Sequence, residues 1–126
     1  MQITSAEPFE LFAFESEDGR SQIREWLSSI RGTSIQKAVE GRIRRVRRGN
    51  LGDVKQFRFA SRRRPVLLEL RINVRSGPRL YALAAGGRRL VLLSGGTKRR
   101  QKTDLMNASA LHRACAERRG RIRAKG

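Results

Sequence analysis

The hydrophobic positions of this chain change their period near its middle. Between Ser21 and Gly32, Ile23, Trp26, Leu27 and Ile30 keep the spacing of one helical face, with Ser21 ahead as a cap and Gly32 just past the end. A second helical series, Ile35, Ala38, Val39, Ile43 and Val46, stops at Gly49-Asn50. Its other face carries Lys37, Arg42, Arg44, Arg45, Arg47 and Arg48, which a solvated surface explains as well as a binding one. From residue 66 the period becomes two: Val66, Leu68, Leu70, Ile72 and Val74 alternate with Glu69, Arg71, Asn73 and Arg75, the pattern of a strand with one face in the core and a charged face outside.

Around these elements the punctuation is regular. FELFAFE at 9–15, closed by Asp18-Gly19, has the composition of a first strand, and Val54 to Phe59 that of another. Arg79 to Leu83 and Arg89 to Leu93 follow as strands joined by a tight hairpin at Gly86-Gly87, the second apolar on both faces. Asp104 to about Arg118 places Leu105, Ala108, Leu111 and Cys115 on one helical face. The expected order is strand, helix, helix, four meandering strands, helix: an α+β fold in which two N-terminal helices pack on a small, strongly twisted antiparallel sheet, with a C-terminal helix. Residues 1–117 are expected to form one domain with a single core, and residues 118–126 a mobile basic tail.

Charge changes the picture most. The chain has 126 residues with 29 Lys and Arg against 11 Asp and Glu, a formal net charge of +18. Self-repulsion on that scale favours a polyanionic or acidic partner. The N-terminus lacks the order of a signal peptide, and no apolar run approaches the roughly 18 to 20 residues of a spanning helix, so a cytoplasmic protein without membrane attachment is expected. One cysteine and one histidine supply no metal-ligand cluster, and no metal or cofactor is expected. Cys115 is expected to be a small buried hydrophobe, and His112, at the edge of the same helical face, a packing or satisfied surface residue and not a catalyst.

By alternation, the sheet face opposite the two helices receives Arg71 and Asn73 from one strand and Arg79 and Tyr81 from the next. Lys98, Arg99 and Arg100 follow where Gly95 and Gly96 would let the backbone approach a ligand. Guanidinium forks suit phosphate oxygens and a tyrosine ring can stack on a base, so this face is a candidate RNA surface. Lys55, Arg58 and Arg75 join Asn73, Arg99 and Arg100 as candidate RNA contacts. Metal-free ribonucleolysis needs a base for the 2'-hydroxyl, cations for the phosphorane and an acid for the leaving oxygen. Arg71, Arg79, Tyr81 and Lys98 are the candidates, a lysine or tyrosine carrying the proton only where neighbouring cations lower its pKa. Glu69 is expected to neutralise Arg71, with a general-base role left open.

Gly49-Asn50-Leu51-Gly52-Asp53-Val54-Lys55, Glu69-Leu70-Arg71-Ile72, Gly77-Pro78-Arg79-Leu80-Tyr81 and Leu92-Leu93-Ser94-Gly95-Gly96-Thr97-Lys98, with Gln101, Asp104 and Ala108, resemble the RelE/ParE superfamily of small toxins, in its HigB-like and related phage-encoded branch. The likeness covers roughly residues 10 to 115. It implies the toxin of a type II toxin-antitoxin pair: an endoribonuclease that cleaves messenger RNA on the ribosome, inhibits translation, and is silenced by an antitoxin. That antitoxin would be a helix-turn-helix protein, acidic where it meets the toxin, and the operator DNA would be bound only through it. By position, Arg71, Arg79, Tyr81 and the basic residues after Gly96 match places where such toxins hold RNA-contacting and catalytic side chains. Pro78 stands where relatives have an aromatic, and Thr97-Lys98-Arg99-Arg100 replaces a less basic segment. Alternative readings are a gyrase-inhibiting toxin of the same superfamily and a non-catalytic basic protein that binds RNA or the ribosome.

Overall fold

A computed structural model describes residues 7–57, 66–74 and 77–117. The elements follow as β1 Glu10–Ala13, α1 Gln22–Ser29, α2 Thr33–Arg47, β2 Val54–Phe57, β3 Val66–Arg71, β4 Pro78–Gly86, β5 Arg89–Thr97, a 3-10 turn Lys98–Arg100, and α3 Gln101–Glu117. The order expected from the sequence is the order found, and the fold is α+β with a C-terminal helix. Ser21 caps α1 as its position suggests, its hydroxyl accepting from the Arg24 amide at 3.4 Å. The hairpin between β4 and β5 turns through Gly87 and Arg88, both at positive φ (59° and 62°), which is the primed geometry that matches strand twist.

The sheet order is β1-β5-β4-β3-β2. β2 to β5 form the antiparallel meander, while β1 lies parallel to β5, in register from Glu10 opposite Arg89 to Ala13 opposite Leu92. The sheet is therefore mixed rather than wholly antiparallel. A helix pair between β1 and the meander supplies the long connection that a parallel partner requires.

A single core was the expectation from length; the structure has an apolar cluster on each face of the sheet. Leu68, Leu70, Leu80, Ala82, Leu90 and Leu92 pack with Ile23, Val39 and Val46 of α1 and α2. On the opposite face, Leu67, Tyr81, Leu83, Val91 and Leu93 pack under Ala108, Leu111 and Cys115 of α3. The face read as charged and open on β3 is thus covered by α3, and Leu67 and Glu69 are fully buried there. Cys115 is buried in the same layer, as expected, and His112 is buried there too, which settles it as a packing residue and not a surface one.

β5 runs four residues beyond its expected end, through both glycines, after a register shift opposite Tyr81 and Ala82. The extra residue changes the phase of the strand. Gly95 then faces Trp26 of α1, where an added Cβ would lie 2.0 Å from the indole, and Gly96 faces Asp104 of α3, where it would lie 2.2 Å from the carboxylate. The glycines make room for the two helical layers, not for a ligand. α3 also starts before Asp104, so this residue does not open the helix; its carboxylate accepts from the Thr97 amide at 3.1 Å and ties α3 to the end of β5. No helix among the described residues is long and apolar enough to cross a membrane. The basic tail at 118–126 lies outside the described residues.

Candidate nucleic-acid interface

β3 and β4 pair Glu69 with Tyr81 and Arg71 with Arg79. All four side chains issue from the face under α3, and they converge on one carboxylate. Glu69 Oε1 accepts from Arg79 Nη1 at 3.0 Å and from Arg71 Nε at 3.4 Å; Oε2 accepts from the Tyr81 hydroxyl at 3.0 Å. Gln101, the first residue of α3, donates to both oxygens at 3.4 and 3.2 Å. Glu69 neutralises Arg71 as the sequence suggests, but its stronger partner is Arg79, which is itself only 8% exposed. Hydrogen bonds of this charged kind, sheltered from solvent, fix side-chain position firmly.

From this network the sheet opens into a cleft of about 710 Å³, lined by Asp53, the chain from Arg71 to Val74, Gly77, Pro78, Arg79, Lys98 and Arg99. β3 ends at Arg71, earlier than the alternation through Val74 implies, because the chain turns there: the Ile72 amide donates to Pro78 O at 3.0 Å and the Gly77 amide to Val74 O at 3.0 Å. Gly77 has φ +56°, and a Cβ on it would come within 2.9 Å of the Lys98 Cβ. The Lys98 amide donates to Gly77 O at 2.9 Å, so the cationic turn after β5 is clipped to the start of β4. Arg71, Asn73, Arg79, Lys98 and Arg99 therefore meet in one concavity, whereas Tyr81, expected to converge with them, does not line it. Arg79 Nε, buried in its wall, has no hydrogen-bond partner among the described residues.

No family model matches the chain, and no solved structure matches it. A curated protein of Haemophilus influenzae, described only as an uncharacterized protein, is 33% identical to it over 86 residues, which cover 68% of this chain and 81% of the relative. The chain belongs to that protein's family. That relative has no described activity, and the chemistry of the cleft rests on its own residues.

Expectations for three residues change. Tyr81 is wholly buried among Leu67, Leu83 and Leu93, so its ring is not available to stack on a base. Burial, and then the adjacent Glu69 carboxylate, push its phenol well above the ordinary tyrosine value; the Arg79 cation opposes this without prevailing. Tyr81 is consequently a support for Glu69 and not a proton carrier. Lys55 does not line the cleft; it lies on the edge strand β2 with Nζ 5.1 Å from the Phe57 ring centroid. Arg100 is exposed outside the cleft lining. Arg58 and Arg75 lie outside the described residues.

Arg42 is the residue that sequence reasoning placed wrongly. Instead of facing solvent among the cations of α2, it is 3% exposed. Its Nε donates to Arg71 O at 2.8 Å and its Nη2 to Asp53 O at 2.9 Å, joining the end of β3 to the loop before β2. Desolvation, reinforced by neighbouring Arg45, lowers its pKa from the arginine norm. The signal was in the spacing: Arg42 falls three residues after Val39 and four before Val46, on the buried stripe of α2 and not on its cationic face. Gly52, at φ +62°, leaves room for it, since a Cβ there would strike the Arg42 guanidinium at 2.9 Å.

Proposed function

We propose that this protein is a metal-independent endoribonuclease, the toxin of a type II toxin-antitoxin pair, acting on messenger RNA at the ribosome and neutralised by an acidic helix-turn-helix antitoxin. The observation that carries the reading is the cleft in which Arg71, Arg79, Lys98 and Arg99 surround a space large enough for a nucleotide. A phosphodiester there would meet the half-exposed guanidinium of Arg71, with the largely buried Arg79 guanidinium behind it in the wall. The resemblance to RelE/ParE toxins supports the same residues.

In the proposed reaction the 2'-oxygen attacks phosphorus and the bond to the 5'-oxygen breaks, giving a 2',3'-cyclic phosphate and a 5'-hydroxyl. Asp53, the carboxylate of the cleft lining, takes the 2'-hydroxyl proton, and exposed Lys98 gives a proton to the departing 5'-oxygen. Arg79 and Arg71 stabilise the charge that builds on the phosphorane, Arg79 being held in place beforehand by Glu69. Translated mRNA incubated with the protein should yield fragments with 2',3'-cyclic phosphate ends. Arg79→Ala should lower the cleavage rate by about 100-fold or more. Because that change also leaves Glu69 with fewer partners, the surface variants Asp53→Asn and Lys98→Ala should slow cleavage with folding unchanged by circular dichroism. Full activity in all three variants would remove these residues from the mechanism.

A second reading, a basic protein that binds RNA or the ribosome without cutting, is favoured by the burial of Tyr81, which leaves no phenol in the cleft lining. RNA bound in a salt-dependent manner yet recovered intact would select it.

A further inference from the structure

Beside the cleft lies a smaller cavity of about 120 Å³, bordered by Arg42, Arg45, Asn50 and Gly52, and sharing Asp53, Arg71 and Asn73 with the larger one. Arg42 is more than nine-tenths buried there, yet its hydrogen bonds go to neutral carbonyl oxygens, and no carboxylate pairs with it among the described residues. A buried cation that has only the nearby Asp53 carboxylate, and no ion pair, to balance it is costly, and an incoming anion would offset that cost. Three guanidinium groups against the single Asp53 carboxylate leave the cavity positive. Its small volume admits a tetrahedral oxyanion but not a ribose with its base, and the shared wall places it beside the cleft.

We propose that this cavity is a second phosphate subsite, in which Arg42 and Arg45 hold the phosphodiester next to the one bound in the cleft, so that the RNA strand runs from Lys98 past Arg71 towards the end of α2. That the anion belongs to RNA rests on the proposed function; that the cavity binds phosphate does not. Asn73 borders both cavities and supplies an amide with donor and acceptor where the intervening ribose would lie.

Two measurements on the full chain test it. In the first, a fluorescent single-stranded oligoribonucleotide is titrated against wild type, Arg45→Ala and Arg44→Ala across a range of salt. Arg44 is exposed on the same helix, carries the same charge and does not border the cavity. Arg45→Ala is expected to weaken binding about tenfold and to lower the salt slope by about 0.7, the contribution of one phosphate contact on a single strand, while Arg44→Ala changes the slope by much less. Where wild type binds the oligoribonucleotide, equal losses in both variants, or none in either, would overturn the subsite, since diffuse attraction does not distinguish them. In the second, inorganic phosphate is titrated while the Gly52 and Asn50 amide resonances are followed. Saturable shifts in wild type that vanish in Arg45→Ala support the subsite, and their absence in wild type overturns it. If phosphate shifts these resonances but no RNA binds, the subsite stands and the RNA-cleaving function fails.

Discussion

Arg71 and Arg79 face each other directly across β3 and β4, a like-charge pairing that destabilises a sheet unless a counter-charge lies between them. Glu69 Oε1 is that counter-charge, and Tyr81 and Gln101 occupy the rest of the carboxylate. Tyr81→Phe removes one donor from a buried carboxylate and should cost about 1 to 2 kcal/mol. The cost should depend on pH in a definite direction. The folded chain keeps this phenol protonated above the ordinary value near 10, where the unfolded chain releases the proton. Its contribution is therefore full below about pH 10 and is lost as pH rises towards the raised folded value. Urea denaturation of wild type and Tyr81→Phe at about pH 8 and about pH 11 should show the stability gap narrowing at the higher pH, other titrations cancelling between the two proteins. A gap that stays constant would falsify the coupling of Tyr81 to Glu69. At this scale the sequence showed which side chains share a face, because a period of two makes Glu69, Arg71 and Arg79 legible from their numbers alone, whereas Asn73 reaches the cleft from the turn after β3. It did not show that Tyr81 is roofed over, which depends on where α3 docks; the inward turn of Arg42 was legible, because it stands at helical spacing between Val39 and Val46.

The elements meet most closely at the end of β5, where consecutive glycines contact helices on opposite faces of the sheet. Gly95→Ala would drive a methyl group into Trp26, and either α1 or the indole must move; overpacking of this kind typically costs about 1 to 3 kcal/mol. If the contact is the cause, Gly95→Ala should be less damaging in a Trp26→Ala background, and a double-mutant cycle by chemical denaturation would show that coupling. Additive losses would place the cost in the backbone of β5 instead. The same region marks the limit of reading elements from sequence. Strand existence and order follow from alternation and turn residues, whereas the parallel pairing of β1 with β5 joins segments far apart in the chain. α3 displays its apolar face plainly through Leu105, Ala108 and Leu111, but nothing in that spacing says which side of the sheet it covers. Placing it on the open side would have required noticing that Leu67 and Leu83 are apolar on the supposedly polar face of their strands.

For the whole molecule, a net charge of +18 on 126 residues opposes compaction, and the cations of the cleft add their repulsion at one place. Monovalent salt should stabilise the fold by general screening, to the same extent for any variant of equal charge. A ligand that binds the native arrangement adds a saturable term on top, about 2.7 kcal/mol at a free concentration one hundred times its dissociation constant. Thermal denaturation with a short oligoribonucleotide should therefore raise Tm beyond the value reached in sodium chloride of the same ionic strength, and the excess should level off as the site fills. Lys98→Ala combined with Arg99→Ala removes two charges from the cleft, and Lys37→Ala combined with Arg44→Ala removes two from the exposed surface of α2. Only the first pair should abolish the saturable excess, while both should reduce the response to salt alike. Loss of the excess in both pairs would mean that the polyanion reads total charge and not the concavity, and the cleft would then have no claim to be where the strand binds.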